Sequence, residues 1–346
     1  MKRSIKYIFF IFFQLYGITL HAQEECAFVL ERAEKLYEQG IIEEIPALLS
    51  DCIQKGFNKE ERLEAYKLVI LSYLFDDNQI MAEQTLLEML RKYPEYEIAP
   101  TDPVEFVYLF ETYETIPVYS IGLGGGTNFS LLNITAKYGT HNLSNENITY
   151  HWLSPGYNFN IRLNRYLRED LELNLEAGYM QNSISYTNNS YEFLAIHTRE
   201  TQSRFYVPLT LTYDLTSFNK ITPYIRLGGS VGLMKGSNIK IEIEHLDNSH
   251  PDIKSPDINI TSLRDNLNSW IVGGVGVKYK FTGGYLFFEA NYNHGLLPSV
   301  NEENRYSIDD LVFKYYHVDD DYMLNSLTIK VGYMYSFFKP RKIGVF

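Results

Sequence analysis

From Pro117 onward the apolar residues of this chain recur at every second position, and that period constrains the fold more than any other feature. Leu327, Ile329, Val331, Tyr333, Tyr335 and Phe337 alternate with Thr328, Lys330, Gly332, Met334 and Ser336. Leu171, Leu173, Leu175, Ala177 and Tyr179 alternate in the same way with Glu172, Asn174, Glu176, Gly178 and Met180. Period two sends successive side chains to opposite faces of a strand. Before residue 117 the spacing is three or four, as in Leu63, Tyr66, Ile70 and Leu74, which is a helical stripe. Two unlike units therefore share the 346 residues.

Charge divides at the same place. Residues 23–116 hold 21 acids and 8 bases, whereas 117–346 hold 22 and 20. A net charge of −12 argues against a nucleic-acid partner, which would need clustered Lys and Arg. An aromatic content of 15% excludes a disordered chain, and two cysteines exclude a disulfide-dense scaffold or a Cys-rich zinc module.

Residues 1–22 predict a secretory signal peptide. Lys2, Arg3 and Lys6 precede an apolar run from Ile8 to Ile18, and Leu20-His21-Ala22 offers a small residue at the cleavage position. The run is shorter than the ~20 residues of a spanning helix. Residues 23–116 then predict a helical domain. Helices are expected over 27–37 and 43–53, then from Asn58 with Glu61 as a capping box, then over Ala82 to Leu90 before Pro94, and finally over 103–114. Cys26 near the start of the first helix and Cys52 near the end of the second come together in an antiparallel hairpin. In an oxidising compartment a disulfide between them is favoured over two free thiols. The ending Ala82-Glu83-x-x-Leu86…Leu90…Pro94 resembles tetratricopeptide-type repeats. That resemblance implies a groove for a partner segment; a helical spacer is the alternative.

Within 117–339 eight segments have strand character: 118–128, 155–165, 170–183, 203–215, 222–235, 269–281, 284–295 and 325–338. Long connections (129–154, 184–202, 236–268, 296–324) alternate with short ones (166–169, 216–221, 282–283). An even number of strands of this length, alternating loops and tyrosines near strand ends predict an outer-membrane barrel rather than a soluble sandwich. The expected fold is an all-β, eight-stranded antiparallel transmembrane barrel behind a small all-α domain. Its N-terminal domain and its tail 340–346 would be periplasmic and its long loops extracellular. The mature protein is expected to have no transmembrane helix.

The glycine-rich first strand Ile121-Gly122-Leu123-Gly124-Gly125-Gly126-Thr127-Asn128, with Arg204-Phe205-Tyr206-Val207-Pro208-Leu209 and Pro223-Tyr224-Ile225-Arg226-Leu227-Gly228-Gly229, resembles the PorT-type outer-membrane β-barrel family of Bacteroidota. The resemblance implies a barrel without shared catalytic residues, some members serving secretion or gliding machinery.

The residues expected to face the lumen include Glu172, Glu176, Asp214 and Glu289 against Arg162, Arg226, Lys278, Lys280 and Lys330. Eight strands leave room only for side chains, so these charges should pair into a plug. A gated ion or small-solute path through the same charges is the alternative. Inward glycines should make room for the long charged neighbours, and Pro208 should sit at a bulge. Asp309, Asp310 and Asp319-Asp320-Asp321 carry a hard-cation reading weighed against a solvated charge run. His151, His197, His245, His250, His294 and His317 fall in or near outer loops without a nucleophile placed beside them by spacing, so a barrel-borne lipid hydrolase, tested at His151 or His294, ranks last. Neither catalytic residues nor a cofactor or metal is expected. The reading that results is a non-enzymatic outer-membrane protein, in contact with lipid, whose residues 23–116 engage another envelope protein.

Overall fold

The computed structural model describes residues 26–138, 147–151, 154–191, 193–246, 250–281 and 283–343. The expected signal peptide, 1–22, lies outside the described residues. The chain forms two compact units, one of the residues up to Ile116 with those from Phe338 onward, the other of Pro117–Phe337.

The first unit is built on five helices: α1 (26–38), α2 (Ile45–Lys55), α3 (Lys59–Phe75), α4 (Gln79–Lys92) and α5 (Val104–Phe110). The capping box opens α3: the Glu61 N–H donates to Asn58 Oδ1 at 2.9 Å and the Asn58 N–H donates to Glu61 Oε2 at 3.0 Å. The helices bury two clusters, one around Leu30, Ala33, Ile45, Leu49 and Val69, the other around Ile70, Leu86, Leu90 and Phe106. Cys26 and Cys52 are joined by a disulfide, with their Cα atoms 5.6 Å apart. Lys67, a charged residue within the apolar α3, is buried and its ammonium donates to Asp102 Oδ1 at 2.9 Å. Asp102 also accepts from the Tyr96 hydroxyl and from the Ala99 N–H.

The fifth helix is shorter than the expected 103–114. It ends at Phe110, and Tyr113 already begins a strand. Thr112-Tyr113-Glu114-Thr115-Ile116 is rich in β-branched residues, and the Thr112 carbonyl accepts from the Ile343 N–H at 2.8 Å, so the chain is held extended there.

Eight long strands form a ring in simple up-and-down order: β1 (Tyr113–Ala136), β2 (Pro155–Tyr166), β3 (Leu171–Asn188), β4 (Leu194–Asp214), β5 (Ile221–His245), β6 (Leu267–Phe281), β7 (Gly284–Gly295) and β8 (Asp321–Lys342). Each pairs with its neighbours in sequence, and β8 pairs with β1. Two-residue strands at Ile253–Lys254 and Ile258–Asn259 and a four-residue strand at Ile148–His151 add to the edges of β5 and β3. The expected long connection 184–202 is mostly strand, because β3 and β4 run on as a hairpin as far as Asn188 and Leu194.

Polarity along β4 and β5 changes phase partway. From Ile221 to Leu233 the outward residues are Ile225, Leu227, Val231 and Leu233, while Tyr224, Arg226 and Ser230 are buried within the ring. From Ser237 on the order is reversed: Ile239, Ile241 and Ile243 are buried and Lys240 and Glu244 point out. The switch coincides with a step in register between Ser203↔Gly236 and Arg204↔Met234, which leaves Lys235 as the extra residue. The isoleucines join Leu194, Ile196, Ile260, Leu263, Leu311 and Tyr315 in a core of their own.

Pro208 is not the site of the bulge. Pairing between β3 and β4 lapses from Leu175↔Leu209 to Gly178↔Tyr206 and resumes in the same register. The missing proline N–H removes ladder bonds without adding a residue, and an added residue is what a bulge requires. Five of the inward glycines, Gly124, Gly178, Gly232, Gly276 and Gly332, make room for aromatic rings rather than the long charged side chains expected. A Cβ at Gly276 would lie 2.4 Å from the Tyr224 ring, and one at Gly332 would lie 2.4 Å from Phe287.

Candidate functional site

Inward parity on seven strands, β2 to β8, delivers charged side chains to the interior of the ring, where they meet in two clusters. The middle cluster joins Arg162 (β2), Glu176 (β3), Arg226 (β5), Glu289 (β7) and Lys330 (β8). Arg162 Nη2 lies 2.6 Å from Glu289 Oε1 and 2.9 Å from Glu176 Oε1. Arg226 binds both carboxylates, and Lys330 Nζ reaches Glu176 Oε2 at 3.1 Å. Neutral groups complete the shell: Glu289 Oε2 accepts from the Tyr224 hydroxyl at 2.8 Å and Glu176 Oε2 from Asn160 Nδ2 at 2.8 Å. A second cluster nearer the short turns joins Lys278 (β6) to Glu172 (β3) and to Asp214 (β4) at 2.6 Å.

Eight of the nine residues expected in the interior are thus brought together, four acids with four bases. Lys280 is the exception. It keeps inward parity, opposite Tyr285, but stands at the end of β6 beside the turn and is exposed to solvent. Without it the interior charges of these two clusters cancel. Between the middle cluster and the far end of the ring a cavity of about 20 Å³ remains, lined by Tyr206, Ser230, Trp270 and Lys330, room for a single water.

A third cluster, toward the long connections, was not legible from the sequence. Arg264 is fully buried; its Nε donates to Glu200 Oε1 at 2.7 Å and its Nη1 to Asp319 Oδ2 at 2.7 Å. His317 Nε2 lies 3.3 Å from Asp319 Oδ1. Burial alone would raise the Asp319 carboxyl, but Arg264 and His317 hold it well below the usual carboxylate range. Arg305 binds Asp321. The solvated charge run favoured for these acids over a hard-cation site is corrected at Asp319 and Asp321, which are buried and bound by arginines; among the described residues no group of three candidate ligands could hold a metal ion. Glu200 shows inward parity along β4; Arg264 and Asp319 come from irregular segments whose placement no period announces.

Above this cluster a cavity of about 70 Å³ is lined by Tyr150, Tyr186, Tyr316, Tyr322, His317 and Asp320 among others. On the outward face of the β3–β4–β5 extension lies a wider depression of about 480 Å³. Along it runs a relay: His151 Nε2 and His197 Nδ1 lie 2.9 and 3.0 Å from Thr187 Oγ1, and His197 Nε2 lies 3.2 Å from Glu244 Oε2. Thr187 and His197 face each other in register, which spacing along a single strand did not reveal. His294 stands apart, stacked on Tyr292.

No protein-family model and no curated protein matches the sequence. Among solved structures the chain is similar to Neisserial surface protein A, with 12% identity over 64% of this chain and 99% of that one and a TM-score of 0.30. It is also similar to the outer membrane protein OprG from Pseudomonas aeruginosa (11% identity, 64% and 97%, TM-score 0.34) and to Ail, the attachment invasion locus protein of Yersinia pestis (9%, 64% and 100%, TM-score 0.26). Among the described residues no helix is long and apolar enough to cross a membrane.

Proposed function

We propose that the ring is a transmembrane barrel of the bacterial outer membrane, closed by its own ion pairs, and that it anchors an acidic periplasmic helical domain which engages another envelope protein. The observation that carries this reading is the phase change in β5. Leu227 is 65% exposed and Phe159 on β2 is 61% exposed, whereas beyond Lys235 the strand β5 hides its isoleucines and shows lysine and glutamate. An apolar exterior of this extent has no place in water. Ile221 to Leu233 covers about 40 Å of strand, or roughly 28 Å of depth at a tilt of ~45°, a match for a bilayer core.

The ion-paired interior supports an anchor over a conduit, since ions passing through would have to break buried pairs. The excess of acids in 23–116, the tetratricopeptide-like ending at Pro94 and the PorT-type strands support a role in an envelope assembly of the secretion or gliding kind. A second reading, a surface hydrolase, rests on the Thr187–His197–Glu244 relay, which has the order of nucleophile, base and orienting carboxylate. Cysteine labelling of intact cells tests the membrane reading: Lys254→Cys should react with an impermeant maleimide and Lys92→Cys only after permeabilisation. A pull-down with the full chain should then capture a protein partner that a chain lacking residues 23–115 loses; unchanged partners would refute the anchor. Ester hydrolysis abolished by Thr187→Val would establish the second reading instead.

A further inference from the structure

Four polar side chains stand in one line across the outward face of the β3–β4–β5 extension. His151 lies opposite Ser185, Ser185 opposite Arg199, and Arg199 opposite Lys240, each on the neighbouring strand. Residues directly opposite share a face with Cβ atoms about 4.5–5.5 Å apart, and all four line the depression of about 480 Å³. Two of the four are cations set side by side. Like charges in that position destabilise a strand pair, and an anion seated over both removes the cost.

The acids of this face leave the two cations available. Arg199 Nε donates to Ser185 Oγ at 3.4 Å, and no carboxylate pairs with the guanidinium. Lys240 Nζ reaches Asp257 Oδ2 only at 3.9 Å. Glu242 is taken by Lys254 at 2.6 Å, and Glu244 lies 3.2 Å from His197 Nε2. Arg199, Lys240 and Lys254 equal Glu242, Glu244 and Asp257 in number, so net charge selects nothing here; placement does. Glu242 and Glu244 stand two and four residues further along β5, and Asp257 belongs to the segment flanking its outer edge. A planar fork and a point charge remain as nearest neighbours, and together they suit the oxygens of a phosphate.

Height decides what carries that phosphate. Lys240 lies five residues beyond Lys235, about 17 Å of strand or roughly 12 Å of height at a tilt of ~45°. In the membrane proposed above, on which this inference rests, the headgroup layer is only about 6 Å deep. A phosphate attached directly to a lipid's glycerol stops short of the line, whereas one borne on a sugar headgroup reaches it. Ser185 and His151 stand beside the cations as partners for sugar hydroxyls. We propose that the depression binds the phosphorylated sugar headgroup of an outer-leaflet glycolipid, with Arg199 and Lys240 sharing the phosphate.

Native mass spectrometry of the full chain in non-ionic detergent tests the proposal, with rough-form lipopolysaccharide as probe. The same glycolipid stripped of phosphate, phosphatidylglycerol and free glucose 6-phosphate are the comparisons. The intact glycolipid should stay bound, and each of the other three should be retained at least about 10-fold less. Arg199→Gln and Lys240→Gln should each weaken retention about 5- to 10-fold, and Lys35→Gln on the helical unit should leave it unchanged. Equal retention of any comparison compound, or retention indifferent to both variants, would overturn the proposal. The comparison among probes on the unmodified protein decides the matter even where a variant fails to fold. Cysteine labelling decides the membrane reading separately: a correctly oriented barrel that treats the two glycolipids alike refutes this inference and leaves that reading standing.

Discussion

Lys235, the extra residue at the register step between β4 and β5, holds its ammonium 5.4 Å from the centre of the Tyr179 ring on β3. Phe205, whose ring touches that of Tyr179, lies at 5.9 Å from the same ammonium. A cation beside aromatic rings, with outward leucines on one side and exposed lysine and glutamate on the other, is suited to the lipid–water boundary of the proposed membrane barrel. The bulge, the phase change and the cation–π contacts thus mark a single level of the ring.

A charge should be tolerated on one side of that level and not on the other. Leu227→Arg is expected to destabilise the folded barrel by about 2–4 kcal/mol, and Asn238→Arg, on the far side, by no more than ~0.5 kcal/mol. Urea titration of folding into lipid vesicles measures both. Equal losses would remove the boundary from Lys235.

Glu289 serves Arg162 and Arg226, with Lys330 Nζ 3.9 Å away, so its removal leaves buried positive charge. Glu289→Gln should cost about 3–5 kcal/mol, seen as a lower temperature at which the folded band is lost on semi-native gels. Adding Arg226→Met should recover part of the loss, because the surplus charge goes with it. A double variant no more stable than the single one would contradict the pairing described.

The Lys67–Asp102–Tyr96 cluster makes the helical unit sensitive at both ends of the pH scale. Burial works against the Lys67 charge, yet its bonds to Glu64 and Asp102 push it up to about 12. Burial and Asp102 push Tyr96 up to about 12 as well. Both values are raised, so the stability they contribute is complete below about pH 10 and is lost as pH rises toward 12. Asp102 is lowered, despite burial, by Tyr96, the Ala99 N–H and Lys67. Its contribution is present above about pH 4 and is lost on acidification through the folded value. Helical circular dichroism of the full chain should fall at both extremes, and Lys67→Met should flatten the alkaline limb.

Cys26 and Cys52 close a loop of 26 residues. Chain entropy assigns such a crosslink roughly 3–4 kcal/mol. Replacing both by Ala should lower the melting temperature of the helical signal while the β-sheet signal is unmoved. Dithiothreitol should reproduce the shift in the parent protein and have no effect on the variant.

Much of this was legible because period and parity are local properties. The eight strands follow from alternation, and Arg162, Glu176, Arg226 and Lys330 follow from counting along those strands. Lys280 shares that parity and still misses the interior, because parity gives a direction but not a depth. The expected loop 184–202 turned out to be a hairpin since alternation persists through Ile196 and Thr198 with its phase reversed, and reversed phase reads as a break. Arg264 and Asp319 meet Glu200 across irregular segments, where contact depends on the fold of the whole end of the ring. Thr187 and His197 become neighbours only once register is known.

The middle cluster draws its five charges from five different strands. In the membrane proposed above, each strand alone would bring an unpaired ion into the hydrocarbon, and any open sheet short of β7 would lack Glu289. The set of ion pairs across the ring is complete only when the last edges meet. For such a barrel, entering the membrane strand by strand is electrostatically uphill until the ring shuts, so an assembly route that keeps a wet, unsealed seam beside the interior until closure is the one its own charges favour.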